Sequence, residues 1–173
     1  MAIERERRFL VEGNEWKKHA KIGKKLQQGY IFREKGKWTA RVRIIDKVES
    51  FITLKYPYKG LANYEFEYPI PIKDADSIYK LSPYKLIKKR YELNLNHQDW
   101  VIDFFEGDNK PLLIAEVEFS KEDELIKIPN WCHFEITGLH SLSNAALAAK
   151  PFSTWSKKDI AELKKGGKGP SIL

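Results

Sequence analysis

The chain has 173 residues, 42% of them hydrophobic and 32% charged, and this balance excludes an intrinsically disordered protein. Its 31 Lys and Arg outnumber its 24 Asp and Glu, and the formal charge of +7 favours anionic partners such as phosphate compounds, nucleic acid or an acidic membrane surface. The single cysteine, Cys132, excludes an internal disulfide, and no run of about 18 apolar residues exists to span a bilayer.

Period-two alternation of apolar and charged residues predicts a chain built mainly of β-strands. The predicted strands, in chain order, are 2–11, 28–33, 38–45, 51–56, 64–70, a segment within 84–95, 100–105 and 111–119. Most are joined by short turns that contain Gly, Pro, Asp or Asn, without a helix between them. This arrangement is typical of an antiparallel meander.

Helical segments are predicted around this sheet. In chain order they are 12–27, 74–81, 120–126, 141–150 and 156–165. The first is polar and basic and predicts a short covering helix and loop, whereas the second begins with residues that cap helices well. A further short strand is predicted at 134–137, and the end of the chain beyond residue 165 is predicted to be disordered.

One face of the predicted strands carries charged residues, with same-sign pairs on most of them. Successive side chains of a strand point to opposite faces, so residues two apart share a face. The set on this face is Glu4, Glu6 and Arg8; Arg41 and Arg43; Lys55; Glu65 and Glu67; Lys88 and Arg90; Asp103; and Glu116 and Glu118. The alternate positions are largely apolar.

Solvation explains a charged face on any single strand. A solvated face would nevertheless mix signs, because like neighbours across a sheet cost a few tenths of a kcal/mol to about 1 kcal/mol. The repeated same-sign pairs therefore predict a site for both a metal ion and a polyanion. Carboxylates bind hard divalent cations, and guanidinium and ammonium groups bind phosphate oxygens.

Eight strands close into a barrel wide enough for one small ligand. The predicted fold is therefore α+β and mainly antiparallel β. It is a closed eight-stranded barrel, or tunnel, with a charged interior and an apolar exterior covered by peripheral helices.

The order of the short motifs resembles the CYTH, or triphosphate tunnel metalloenzyme, family. The opening ERERRFLV resembles that family's E-x-E-x-K signature, and QGY, RVR, TLK, YEFE, KKRY, IDFFEG and AEVEF follow in the family's usual order. The resemblance covers residues 2–120 and fades afterwards. It implies one tunnel domain with C-terminal helices over residues 1–150, followed by a basic, partly disordered tail over residues 151–173.

The resemblance also implies roles for the charged residues. The implied ligands of Mg²⁺ or Mn²⁺ are Glu4, Glu6, Asp103, Glu116 and Glu118. The implied phosphate-binding residues are Arg8, Arg41, Arg43, Lys55, Lys88 and Arg90. Glu65 and Glu67 would orient these cations or contact a second metal ion.

Two departures from the family pattern bear on catalysis. The signature lysine is replaced by Arg8, which stays protonated and cannot act as a base. Arg8 and Tyr30 are the catalytic candidates. Tyr30 matches a tyrosine that some family members use together with that lysine. Water would then be activated by the metal or by Tyr30. Residues 139–145 have lost the basic character of the matching family segment, for which Lys157, Lys158, Lys164 and Lys165 are candidate replacements.

The favoured function is metal-dependent hydrolysis of a triphosphate compound, with inorganic triphosphate as the first choice. A non-catalytic module that binds polyphosphate or a nucleotide is the main alternative, and an adenylate cyclase or thiamine triphosphatase of the same family are others. The four histidines and Cys132 lack zinc-ligand spacing. A cytoplasmic location without nucleic-acid or membrane partners is expected, and a homodimer is left open.

Overall fold

The computed structural model describes residues 2–34, 36–60, 62–95, 98–120 and 125–166. Its strands are β1 (Ala2–Glu4), β2 (Glu6–Val11), β3 (Lys24–Arg33), β4 (Thr39–Ile45), β5 (Glu49–Pro57), β6 (Asn63–Pro69), β7 (Tyr84–Glu92), β8 (Trp100–Phe105), β9 (Leu113–Glu118) and β10 (Cys132–Glu135). The α-helices are α1 (Ile72–Leu81), α2 (Asn144–Ala149) and α3 (Lys157–Gly166). Short 3₁₀ helices cover Glu15–His19, Gly107–Asn109, His140–Leu142 and Phe152–Thr154.

All strands pair antiparallel in one sheet with the order β1-β6-β5-β4-β3-β7-β8-β9-β2-β10. The prediction of a mainly antiparallel β fold is confirmed. The predicted first strand is divided at Arg5: β1 pairs with β6, and β2 pairs with β9. This order of hydrogen-bonded strands begins at β1 and ends at β10 and does not return to its first strand, so the predicted closed barrel is not confirmed.

The start of β3 corrects the prediction for residues 12–27. The structure forms a 3₁₀ helix only at Glu15–His19, and the strand already begins at Lys24. Residues 24–27 pair in register with β7, from Lys24 opposite Arg90 to Gln27 opposite Ile87. These cross-strand hydrogen bonds outweigh the polar local pattern, because strand formation depends strongly on its neighbours.

The segments after β9 also differ from the prediction. Of the helix predicted at 120–126, residues 121–124 lie outside the described residues, and residues 125–129 have no regular secondary structure. The helix predicted at 141–150 is split into a 3₁₀ turn and α2. Ser143 separates the two, and its hydroxyl accepts a hydrogen bond from the Ala146 amide at 3.2 Å, which caps α2.

The apolar faces of the strands are covered by the peripheral segments, as predicted. Ala75 of α1 packs with Val42 and Ile44 of β4. Trp16 joins a cluster around Trp100, and Leu147 of α2 joins another. Within the described residues, no helix has the length and apolar character needed to cross a membrane.

Burial raises the pKa of the Cys132 thiol to about 12, although Arg7 acts in the opposite direction. Only the thiolate reacts with alkylating agents, so at pH 8 the fraction of Cys132 present as thiolate is smaller than that of an ordinary cysteine. We expect iodoacetamide to modify Cys132 at least about 100-fold more slowly in the folded protein than in urea. Equal rates in the two states, followed by mass spectrometry, would contradict this expectation.

Candidate active site

The charged faces of the strands point into the protein. Arg8, Arg41, Lys88, Asp103 and Glu116 are all buried, and Lys88 and Asp103 are 0% exposed. Charged side chains are almost never buried unless they are paired. The structure therefore buries five of the groups that the alternation placed on one face.

A chain of ion pairs links β2, β9, β8 and β7. Arg8 Nε donates to Glu116 Oε1 at 3.0 Å, and Arg90 Nη2 donates to Glu116 Oε2 at 2.5 Å. Arg90 also donates to both oxygens of Asp103, at 2.8 and 2.7 Å, and Lys88 Nζ donates to Asp103 Oδ2 at 2.5 Å. Two carboxylates thus hold three cations in fixed positions.

These contacts set the protonation of the cluster. Burial opposes ionisation of Glu116, but Arg90, Lys88 and Arg8 hold its pKa well below the usual range. Burial lowers the pKa of Lys88 to about 8, although Asp103 acts in the opposite direction. The cluster is therefore charged at neutral pH, with its lysine more easily deprotonated than a surface lysine.

A second cluster joins β1, β4, β5 and β6. Lys55 Nζ lies 2.5 Å from Glu4 Oε2 and also forms an ion pair with Glu65. Arg41 Nη2 lies 3.8 Å from Glu65 Oε1, a loose contact. Among the described residues, the buried Arg41 Nε finds no acceptor. Arg41 therefore keeps donor capacity for an anion.

Arg43 and Glu67 form a further ion pair. Arg43 Nη2 lies 2.5 Å from Glu67 Oε1 and 2.7 Å from Glu67 Oε2, and Oε2 also accepts from Thr53 Oγ1 at 2.8 Å. Glu65 and Glu67 thus both contact cations, and their predicted orienting role stays a prediction. Neither contact tests whether they bind a second metal ion.

The carboxylate of Glu6 is only weakly compensated by neighbouring cations. It lies opposite Glu118 across the strand pair, and its contact to Arg8 is long, at 3.6 Å. Burial, followed by repulsion from Glu116, raises the pKa of Glu6 to about 7. Burial also raises the pKa of Glu4. A hard cation would relieve this deficit, so these oxygen donors suit the divalent ion that the sequence resemblance implies.

The described acidic side chains do not form a metal site by themselves. Across the described parts of the chain, no three His, Cys, Asp or Glu side chains are close enough to hold an ion. Mg²⁺ is usually bound through one or two carboxylates together with substrate phosphates and water. The donor set therefore fits an ion that arrives with a phosphate compound. Both Asp103 oxygens already accept from Lys88 and Arg90, and Glu118 is exposed.

Tyr30 is buried beside the Arg41 guanidinium, and its hydroxyl donates to Gln28 Oε1 at 3.1 Å. Burial raises the pKa of Tyr30. A phenol whose proton is already held by an amide, and whose pKa is raised, is poorly suited to act as a base. The geometry favours Tyr30 as a support for Arg41.

A few of these groups line a cavity of about 220 Å³, whereas Arg43 and Arg90 line a separate pocket, and Glu4 and Glu118 line another. The cations that line it are Arg8, Lys37, Arg41 and Lys55, and the carboxylates are Glu6 and Glu34. From outside the sheet, His140, Ser143 and Asn144 also line it. The neutral segment 139–145 thus lies at the site. Of the lysines considered as its replacements, Lys157 and Lys158 are exposed on α3, and the side chains of Lys164 and Lys165 lie outside those described.

Sequence reasoning gave no role to several polar residues of the site, among them Gln28, Thr53 and Asn144. Gln28 and Thr53 share strand faces with Tyr30 and Lys55 respectively, so the alternation that identified the charged residues could have found them. Asn144 carries no comparable signal. It belongs to α2, and only the folded chain brings it to Lys88, whose Nζ donates to Asn144 Oδ1 at 3.1 Å.

Comparison with known proteins gives consistent results. The CYTH domain family model matches residues 2–148. An inorganic triphosphatase of Acetivibrio thermocellus is 34% identical over 159 residues, which are 91% of this chain and 100% of that protein. An inorganic triphosphatase of Nitrosomonas europaea is 32% identical over 127 residues, which are 71% of this chain and 83% of that protein.

A solved structure gives the same picture. The crystal structure of an inorganic triphosphatase aligns with a TM-score of 0.59 and 29% sequence identity. The alignment covers 86% of this chain and 95% of that one.

Proposed function

The chain belongs to the CYTH domain family, and from this premise we propose that it is a divalent-metal-dependent phosphohydrolase acting on inorganic triphosphate. The observation that carries the proposal is the convergence of Arg8, Arg41 and Lys55 on one cavity next to Glu6, whose pKa is raised. Such a cavity offers cations for a polyphosphate and carboxylates for the metal that accompanies it. The triphosphatase names of the relatives support the same substrate class.

We also propose that the N-terminal strand closes the sheet into a tunnel. Only Arg5 separates β1, which pairs with β6, from β2, which pairs with β9. Glu4 contacts Lys55 of β5, whereas Arg8 contacts Glu116 of β9. One continuous segment therefore serves both sides of the charged interior.

The protein's own contribution would be positioning and charge neutralisation, which dominate phosphoryl transfer. The proposed phosphate-binding residues are Arg8, Arg41, Arg43, Lys55, Lys88 and Arg90. Glu65 holds Lys55 of the second cluster and Glu67 holds Arg43 in place, and Tyr30 supports Arg41. Arg8 binds phosphate and does not take a proton.

Glu4, Glu6, Glu116 and Glu118 would hold Mg²⁺ or Mn²⁺. Asp103 and Glu116 are the least accessible of the predicted ligands, because both oxygens of each already accept from cations that they would first have to release. When bound, a divalent ion polarises the phosphoryl group and lowers the pKa of the attacking water.

Phosphate release from tripolyphosphate, ATP and thiamine triphosphate tests the function. With Mg²⁺ or Mn²⁺ we expect turnover of tripolyphosphate, and EDTA should abolish it. The double variant Glu4→Ala/Glu6→Ala should lower kcat/KM at least about 100-fold, because it removes metal-binding charge at the site. The matched double variant Glu12→Ala/Glu15→Ala, at exposed positions, should retain activity.

A binding-only module is the second candidate, and the observation that favours it is Arg8 in the place of the signature lysine. It predicts calorimetric binding of tripolyphosphate without phosphate release. Turnover above the Glu4→Ala/Glu6→Ala background would exclude it. Formation of cyclic AMP in the ATP reaction would identify a cyclase instead.

A further inference from the structure

We propose that Asn144 is a positioning residue, which holds Lys88 for a polyphosphate without neutralising its charge. This inference rests on the proposed function, since it concerns the same site. It concerns a residue outside the sheet, in the segment that has lost the basic side chains.

A closed ring of polar contacts carries the inference. The Leu142 carbonyl, in the segment that follows the sheet, accepts from Arg8 Nη2 at 3.1 Å. Arg8 Nε donates to Glu116. Arg90 links Glu116 to Asp103. Lys88 then links Asp103 to Asn144, two residues from Leu142. The segment 142–144 therefore fixes two tunnel cations that belong to different strands.

The ring contains more cations than carboxylates, and its other two acceptors are neutral. Within the ring, three cations, Arg8, Arg90 and Lys88, pair with two carboxylates, Glu116 and Asp103, so the ring itself has a formal charge of +1. Glu6 lies outside the ring, 3.6 Å from Arg8. The two acceptors supplied by the segment, a backbone carbonyl and an amide oxygen, are both neutral. They orient Arg8 and Lys88 as a carboxylate would, while the positive charge that attracts phosphate remains.

The environment of Lys88 makes this orientation necessary. Its side chain is 0% exposed, so water does not satisfy its three donors. Asp103 takes one donor and Asn144 takes another. Ser143 caps α2 and holds Asn144 at the start of that helix, beside the cavity. Loss of the amide would leave a buried ammonium donor without an acceptor and free to reorient.

Two substitutions separate a positioning role from a structural one. Asn144→Ala removes the acceptor, and we expect a Tm lower by about 5 °C and a KM for tripolyphosphate raised several-fold. Asn144→Asp keeps the acceptor and brings a third carboxylate into the ring. It should restore the Tm, yet raise KM about tenfold or more, because the added negative charge repels the substrate.

Asn109→Ala is the matched control. Asn109 is also buried and also anchors α2, since its Nδ2 donates to the Leu147 carbonyl at 3.3 Å. This variant should lower the Tm without changing KM. If Asn144→Asp matched the wild type in KM, or Asn144→Ala resembled Asn109→Ala, the positioning role would be rejected.

Two further readouts keep this test separate from that of the function. The Tm values of the free proteins test the ring, and the tripolyphosphate-induced shift in Tm tests its role in binding, both without turnover. Absence of phosphate release by the wild type would reject the hydrolase proposal alone. If tripolyphosphate raises the Tm of the wild type and of Asn144→Asp by the same amount, the inference about Asn144 is rejected and the hydrolase proposal is not.

Discussion

Replacement of Arg41 by Met is expected to lower kcat/KM for tripolyphosphate about 100-fold or more while leaving the protein folded. Arg41 lines the cavity, and its nearest carboxylate, Glu65, is 3.8 Å away. Its buried Nε has no acceptor within the described residues, so the guanidinium is positioned for an anion that the free protein lacks. Charge-assisted hydrogen bonds to a transferring phosphoryl group are worth several kcal/mol.

The stability of this variant should be unchanged or slightly increased, because removal of an incompletely paired buried charge relieves a desolvation cost. Arg7→Met is the matched control. Arg7 lies on the other face of β2 and forms two hydrogen bonds with Glu135, at 2.9 and 2.7 Å. That control should lose about 1–2 kcal/mol of stability and keep its KM. Normal kinetics for Arg41→Met would remove Arg41 from the phosphate site.

Asp103→Ala is expected to cause the largest loss of stability, about 3–5 kcal/mol in the free energy of unfolding. Asp103 is 0% exposed and pairs with both Lys88 and Arg90. Its loss leaves Lys88 buried without a counter-ion. For a chain of this length, a loss of this size lowers the Tm by about 10 °C. Urea unfolding followed by tryptophan fluorescence measures the effect.

Glu92→Ala provides the comparison, because Glu92 also pairs with two cations, Lys21 and Lys24, but is 47% exposed. Exposed ion pairs contribute about 0–1 kcal/mol, so this variant should be nearly as stable as the wild type. The double variant Asp103→Ala/Lys88→Met should recover part of the lost stability, since it also removes the uncompensated charge. Equal stability losses for Asp103→Ala and Glu92→Ala would show that burial of the cluster is not what makes it strong.

The alternation of residue types was enough to identify the charged face and most of its members. Side-chain direction in a strand is a local property with a period of two, so Glu4 and Glu6, or Arg41 and Arg43, could be assigned to one face without knowledge of their neighbours. Strand β8 was predicted with its observed bounds, 100–105. The sequence by itself therefore determined the strand pattern, and with it which charged side chains would share a face.

Only the tertiary structure decided how those charges pair and what completes the site. Arg8 and Glu116 are 108 residues apart in the chain, and Lys88 and Asn144 are 56 apart. Such contacts depend on strand register and on the packing of α2, which no local period records. The same long-range pairing made residues 24–27 a strand despite their polar composition. Side-chain direction is set within a few residues, whereas the partner of a buried charge is set by the whole fold.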